Sequence, residues 1–267
     1  MLLFSEGDPP AVGPVRSARQ YYIDWAAEWR AVYVHVGGSP QALATLASKG
    51  HGQLVYNADE FRWGGTYLWR IHTRAAPHNV YTDGKHLRAL AKAVHAADAT
   101  SVPAPVWRFA PDAPLEDRPV GGTISASYPQ NAITYRYDRA TNTYRRSVTG
   151  EKVQTDAGTK QPVAPKNVVI MLMHFGPLND GEHKKRLEAQ DTGSGTAWIA
   201  TNGRTIKGTW RKTSVQSPTR FYDAAGRPVT LTAGQTFIQV MTAGTPVTVK
   251  DGEVPVTPRG HLSATPA

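Results

Sequence analysis

The chain has 267 residues, of which 40% are hydrophobic and 19% charged, with seven Trp, a composition suited to folded domains with sizeable cores rather than to disorder. It has no cysteine, which excludes disulfides, thiolate metal sites and cysteine nucleophiles, and no apolar run approaches the 18 or more residues of a membrane-spanning helix. The formal net charge of +9 favours polyanions such as envelope polymers, anionic head groups or nucleic acid, although a solvated basic surface with no dedicated partner has the same charge.

Pro14 and Ser17 precede a segment, Arg19 to Trp29, in which Tyr22, Trp25, Ala26 and Trp29 recur at helical spacing, with Ser17 in the capping place. Ala31 to Val36 is a β-branched run of buried-strand length. Gly37-Gly38-Ser39-Pro40 then opens a second helix through about Ser48, with Ser39 as cap and Pro40 in the first turn. A further strand is predicted near Gln53 to Tyr56, and an irregular aromatic stretch spans Phe61 to Trp69. A helix starts at Asp83 or Gly84 and runs to about Ala97, with Leu87, Leu90, Ala91 and Val94 on one face. The alternation predicts an α/β domain over residues 1–100.

Beyond Ala97 the composition shifts to Pro, Ala and Asp, predicting a Pro-rich interdomain linker over 101–122. The pattern then becomes β, with predicted strands at Thr123–Ser127, Ala132–Tyr137, Thr143–Ser147, Val168–Phe175, Ala197–Thr201, Thr205–Arg211 and Thr236–Met241. Asn202-Gly203 makes a hairpin turn between two of them, and Glu182 to Lys185 reads as an exposed charged turn. The expected architecture is therefore α+β: an N-terminal α/β domain, then a mainly β domain over 123–245 and a flexible tail over 246–267.

The strand-to-helix joint at Gly37-Gly38-Ser39 is the first candidate site. Free N–H groups and the positive dipole end converge at a helix N-terminus and attract anions, while glycines let a ligand approach the backbone. Arg16 and Arg19 sit beside the start of the preceding helix, where cations are unfavourable without a compensating anion. The predicted pocket is therefore lined by Arg16, Ser17, Arg19, Gly37, Gly38 and Ser39. The alternative is that both arginines pair with Asp24, Asp59 or Glu60 and that the glycines only make a turn.

Pro77-His78-Asn79 places an imidazole and an amide on one loop, and His35 ends the first strand. Either histidine is a candidate general base if it meets Asp59 or Asp83, and Asn79 joins the ligand-binding candidates. No spacing matches a metal motif, so neither metal nor cofactor is expected. Arg220 in Ser217-Pro218-Thr219-Arg220 is a further anion contact, or else pairs with Asp223 or Asp191. Ser194 between Gly193 and Gly195 lacks the nucleophile-elbow spacing and reads as a turn, and Trp198, Trp210 and Phe237 read as packing residues.

Six segments in order carry a family resemblance: Gly13 to Arg19, His35 to Pro40, Pro77 to Asn79, Ser194 to Trp198, Gly208 to Lys212 and Ser217 to Asp223. Through them the chain resembles the bacterial DUF3048, or YerB-like, lipoprotein family, from about Met1 to about Val240. The resemblance names no reaction. It implies an extracytoplasmic, lipid-anchored protein, although neither a signal peptide nor a lipidation cysteine is visible in this sequence and the chain is expected to begin inside the first domain. The leading expectation is an envelope protein that binds an anionic small molecule or polymer without turnover. The alternative is a hydrolase or transferase acting on an envelope substrate, with His78 or His35 as base. A protein partner remains open, and no motif supports specific nucleic-acid binding.

Overall fold

The structure is a computed structural model, and it describes residues 1–3, 8–96, 107–150, 152–179 and 185–255. The chain forms two compact units. The first comprises Met1–Val106, Met173–Ser194 and Arg211–Arg220, and the second comprises Trp107–Leu172, Gly195–Trp210 and Phe221–Ala267. Three positions assigned from sequence lie wholly or partly outside the described residues: the start of the predicted linker, the charged turn at Glu182 to Lys185, and the end of the tail.

In the first unit, α1 (Gln20–Ala27) leads to β1 (Val32–His35), α2 (Pro40–Lys49) and β2 (Tyr56–Asp59). The strands β1 and β2 pair in parallel, with Val32 opposite Tyr56 and His35 opposite Asp59, so β1-α2-β2 is one crossover unit. Ser39 caps α2, its hydroxyl accepting from Ala42 N at 3.4 Å, with Pro40 in the first turn. Ser17, by contrast, does not cap α1. The residue at that place is Arg19, which makes no side-chain cap bond. The reason is local: Arg16 to Ala18 is extended, with Ala18 N donating to Gly37 O at 2.8 Å and Ser39 N donating to Ala18 O at 3.2 Å. Helix formation therefore waits until Gln20.

A short helix α3 (Glu60–Trp63) follows β2. A two-stranded ladder of β3 (Trp69–Arg70) and β4 (Val80–Tyr81) then precedes α4 (Gly84–Ala93), capped by Asp83 through His86 N at 2.7 Å. The apolar faces of these elements bury Ile23, Ala26, Tyr33, Leu46 and Val55 in one cluster and Ala58, Leu68, Val80 and Leu90 in another.

The second unit begins with β5 (Arg108–Ala110), inside the stretch read as linker. Next come β6 (Thr123–Ser125), β7 (Ile133–Asp138), β8 (Thr143–Val148) and β9 (Asn167–Met173). The chain then contributes β10 (Phe175–Pro177) and β11 (Leu187–Ala189), an antiparallel ladder belonging to the first unit. The remaining strands are β12 (Gly193–Thr201), β13 (Arg204–Lys212), β14 (Arg220–Tyr222), β15 (Thr230–Thr232), β16 (Thr236–Thr242) and β17 (Thr248–Lys250). With β6 to β9 they build a five-stranded sheet, β14-β13-β12-β9-β16, and a four-stranded sheet, β17-β6-β7-β8, while β15 pairs in parallel with β5. All seven predicted strands are present, and Asn202 and Gly203 turn the β12–β13 hairpin with φ of 48° and 72°. The start of the predicted tail is the strand β17, paired with β6.

Glycines in the two motifs of this half are explained by packing. A Cβ on Gly195 would lie 2.6 Å from Trp210 Nε1, which donates to Leu172 O at 2.8 Å, and a Cβ on Gly208 would overlap the Tyr222 carbonyl oxygen. Trp210 is fully buried, as the sequence reading expected of a packing residue.

The most distant segment of the first unit, Arg211–Arg220, is fastened to α1 by charge. Glu28, at the C-terminal end of α1, is 6% exposed, and Lys212 is 1% exposed. Lys212 Nζ donates to Glu28 Oε1 at 2.9 Å, Val215 O at 2.7 Å and Ser217 O at 2.8 Å, which uses all three of its donors. Glu28 Oε1 also accepts from Thr219 Oγ1 at 2.6 Å, and Oε2 accepts from Thr219 N at 2.9 Å.

Two stability predictions follow from this packing. Glu28→Ala strands the Lys212 ammonium in a dry site and is expected to cost about 3–5 kcal/mol, whereas Glu28→Gln, which keeps an oxygen acceptor, costs less; urea unfolding of both variants checks the order. Gly208→Ala is expected to cost about 3 kcal/mol, because a backbone carbonyl cannot yield as a flexible side chain can. Gly176→Ala, where a Cβ meets nothing, should stay within about 0.5 kcal/mol of the parent.

Candidate functional site

The carboxyl ends of β1 and β2 bring together the glycine turn and Asp59. Gly37 has φ of 55°, in the left-handed region that favours glycine, and its N–H donates to Asp59 Oδ1 at 3.1 Å. The same oxygen accepts from Phe61 N at 3.2 Å, capping α3. Asp59 therefore supplies an internal anion at the turn where a ligand anion was expected. The Ser39 hydroxyl is committed to its helix, and the Ser39 N–H to Ala18 O.

His35 is 1% exposed. Its Nδ1 donates to Gly37 O at 2.8 Å, its Nε2 lies 2.7 Å from the Asn57 side-chain amide, and the Asp59 carboxylate is 3.9 Å away. A ring enclosed on both nitrogens holds the turn in place and has no route to a substrate proton.

Arg16, Ser17 and Arg19 flank this turn from the N-terminal side. Val15 N donates to Val80 O at 2.8 Å and Val36 N to Arg16 O at 3.1 Å, so the segment holding Arg16 runs between β4 and the end of β1. The exposed Arg16 places Nη1 2.6 Å from His78 Nδ1, and Arg19 Nη1 donates to Ala18 O at 2.7 Å. Neither guanidinium has a carboxylate within ion-pair distance among the described residues. The acids nearest to them in the sequence reading are engaged elsewhere: Asp24 with Gln20, Asp59 with Gly37, and Glu60 with Arg70 at 3.0 Å.

The β3–β4 connection extends this basic face. Asn79 Oδ1 accepts from Arg70 Nη1 at 3.2 Å, and Arg74 Nη1 donates to the Tyr81 hydroxyl at 2.9 Å. Arg70, His72, Arg74 and His78 are all exposed. Arg70 and Arg74 were missed in sequence because the stretch has no periodicity, although four basic or imidazole residues within nine positions were a usable signal. The structure thus joins Arg16 to His78 and Asn79 to Arg70, and it leaves Arg220 exposed at the start of β14, with no hydrogen bond to that set among the described residues. Among the described residues no three His, Asp or Glu side chains converge to hold a metal ion, and no helix is long and apolar enough to cross a membrane.

Comparison with known proteins agrees with the architecture. Residues 1–97 match the model described as "Protein of unknown function (DUF3048) N-terminal domain", and residues 124–238 match the corresponding C-terminal domain. The chain is 28% identical over 222 residues to "Putative lipoprotein YerB" of Bacillus subtilis (strain 168), a match spanning 77% of this chain and 64% of that protein's length. It also shares the fold of the crystal structure of YerB protein from Bacillus subtilis, with a TM-score of 0.73 at 22% identity, covering 90% of this chain and 78% of the other. With both domain models matched in order, the chain belongs to the DUF3048 family.

Proposed function

We propose that this protein binds an anionic ligand, and specifically a phosphate-rich polymer of the cell envelope, on the basic face formed by Arg16, Arg19, Arg74, His78 and Asn79. One observation carries the reading: three guanidinium groups, those of Arg16, Arg19 and Arg74, have side-chain or backbone partners but no neutralising carboxylate among the described residues. The setting comes from the B. subtilis relative, which is named "Putative lipoprotein YerB". A net charge of +9 draws polyanions toward the surface at long range.

A polymer suits the site better than a compact ligand because these side chains are exposed. Each exposed ion pair is worth only about 1 kcal/mol or less, so useful affinity needs several contacts along one chain of charges. Hydrolysis finds less support. His78 faces an arginine and not a carboxylate, and His35 is enclosed, so neither is arranged as a general base.

Inorganic polyphosphate is a suitable probe. Its addition should raise the melting temperature in low salt, the rise should shrink as ionic strength approaches about 1 M, and Arg16→Ala with Arg19→Ala should lose most of it. A double variant that keeps the full stabilisation would remove the basis for the proposed face.

A further inference from the structure

The first unit contains a second group of buried charges that the proposed binding face does not use. Asp24, on the buried side of α1, is 9% exposed, and Asp191, two residues past β11, is 6% exposed. Helix α1 packs against β11, which sets the two buried carboxyl groups against each other. Asp24 Oδ1 accepts from Gln20 Nε2 at 2.8 Å, and Gln20 in turn accepts from Thr45 of α2 at 2.8 Å. Asp191 Oδ2 is buried with no donor.

The charged groups facing the pair are Lys212 at the end of β13, Glu188 of β11 toward Asp24, and Glu28 of α1 toward Asp191. Lys212 is the one cation among them, and all three of its donors are already committed to Glu28, Val215 and Ser217. It can offset charge but has no N–H left for Asp191. Asp191 Oδ2 therefore has no donor from any side chain or backbone among the described residues, and a proton held between the two carboxyls would supply one.

We propose that Asp24 and Asp191 share one proton and form a pH-operated clasp, which fastens the β10–β11 ladder to α1 when protonated and loosens it when both carboxyls ionise. Two side chains so placed cannot both be charged without repulsion in a poorly solvated site. Burial, reinforced by the negative charge of Asp24, raises the Asp191 carboxyl to about 7, and burial also raises Asp24. Because the folded value lies above the unfolded one, this stabilisation is complete in acid and is lost as pH rises through about 7.

The clasp controls an aromatic contact. Tyr21 of α1 meets Phe175 of β10 edge to face at 6.1 Å and packs beside Trp25 at 5.5 Å. Gln41 of α2 adds a second tether by donating to Glu188 Oε1 at 2.9 Å. Opening would bare the Tyr21 and Trp25 rings on α1.

Hydrogen exchange of the full chain, read by mass spectrometry at about pH 5.5 and about pH 8.5 with times scaled for intrinsic exchange, tests the clasp. Peptides covering Leu187 to Asp191 and α1 should lose about tenfold or more of their protection at the higher pH, and those from β7 and β8 should not. Asp191→Asn, whose amide can donate to Asp24 in place of the shared proton, should stay protected at both pH values. Asp24→Asn is the reciprocal variant should the first fail to fold. Equal wild-type protection at the two pH values, the same loss in both variants, or a loss spread evenly over both units would each overturn the proposal.

Discussion

The buried ion pair between Glu28 and Lys212 is the constraint on which the organisation of the first unit depends. A carboxylate at the C-terminal end of a helix opposes the helix dipole, and both ions give up water, so the pair persists only because every remaining donor and acceptor is matched. Thr219 provides two of those bonds, and the carbonyls of Val215 and Ser217 provide two more. The arrangement is more selective than it is strong. An apolar contact would tolerate a strand shifted by one residue, whereas such a shift turns Lys212 to the opposite face and leaves Glu28 alone in the interior. Charge here decides which piece of a distant strand accompanies α1.

That kind of long-range pairing explains which parts of the molecule were legible in the sequence. The helix at Pro40–Lys49 and the seven predicted strands of the second half were readable because their signals are local: a Ser-Pro cap, a β-branched run, an Asn-Gly turn. Ser17 failed as a cap because its neighbours pair with the far side of the glycine turn, which no window around Ser17 contains. The strand Arg108–Ala110 was hidden in a proline-rich stretch, and its partner Thr230–Thr232 lies about 120 positions away. The discontinuity of the first unit was hidden for the same reason. Lys212 looks like an ordinary basic residue at a strand end until Glu28 is set beside it.

The candidate site divides in the same way. The meeting of the glycine turn with the carboxyl end of the first strand was legible, since strand, turn and helix follow one another directly. Asp59 was not, because its place opposite His35 depends on the register of a parallel pair joined through a whole helix. With Asp59 accepting from Gly37 N, the turn is electrostatically closed, and the place for an external anion moves outward to side chains with no internal counter-charge.

The motifs that carry the resemblance can be sorted by what the fold requires of them. Gly195 makes room for Trp210, Gly208 for a backbone carbonyl, Ser39 caps α2, His35 braces the turn, and Lys212 with Thr219 neutralises Glu28. Each of these is accounted for by packing or by a satisfied polar group. Arg16, Arg19 and His78 are not: they are exposed or half-exposed, and among the described residues no carboxylate pairs with them. Removing an uncompensated surface cation should cost the fold little, because such a group lowers stability by self-repulsion more than it adds through contacts. Residues for which folding gives no reason, two of them in contact beside the end of a parallel strand pair, are where a role outside the folded chain is best sought.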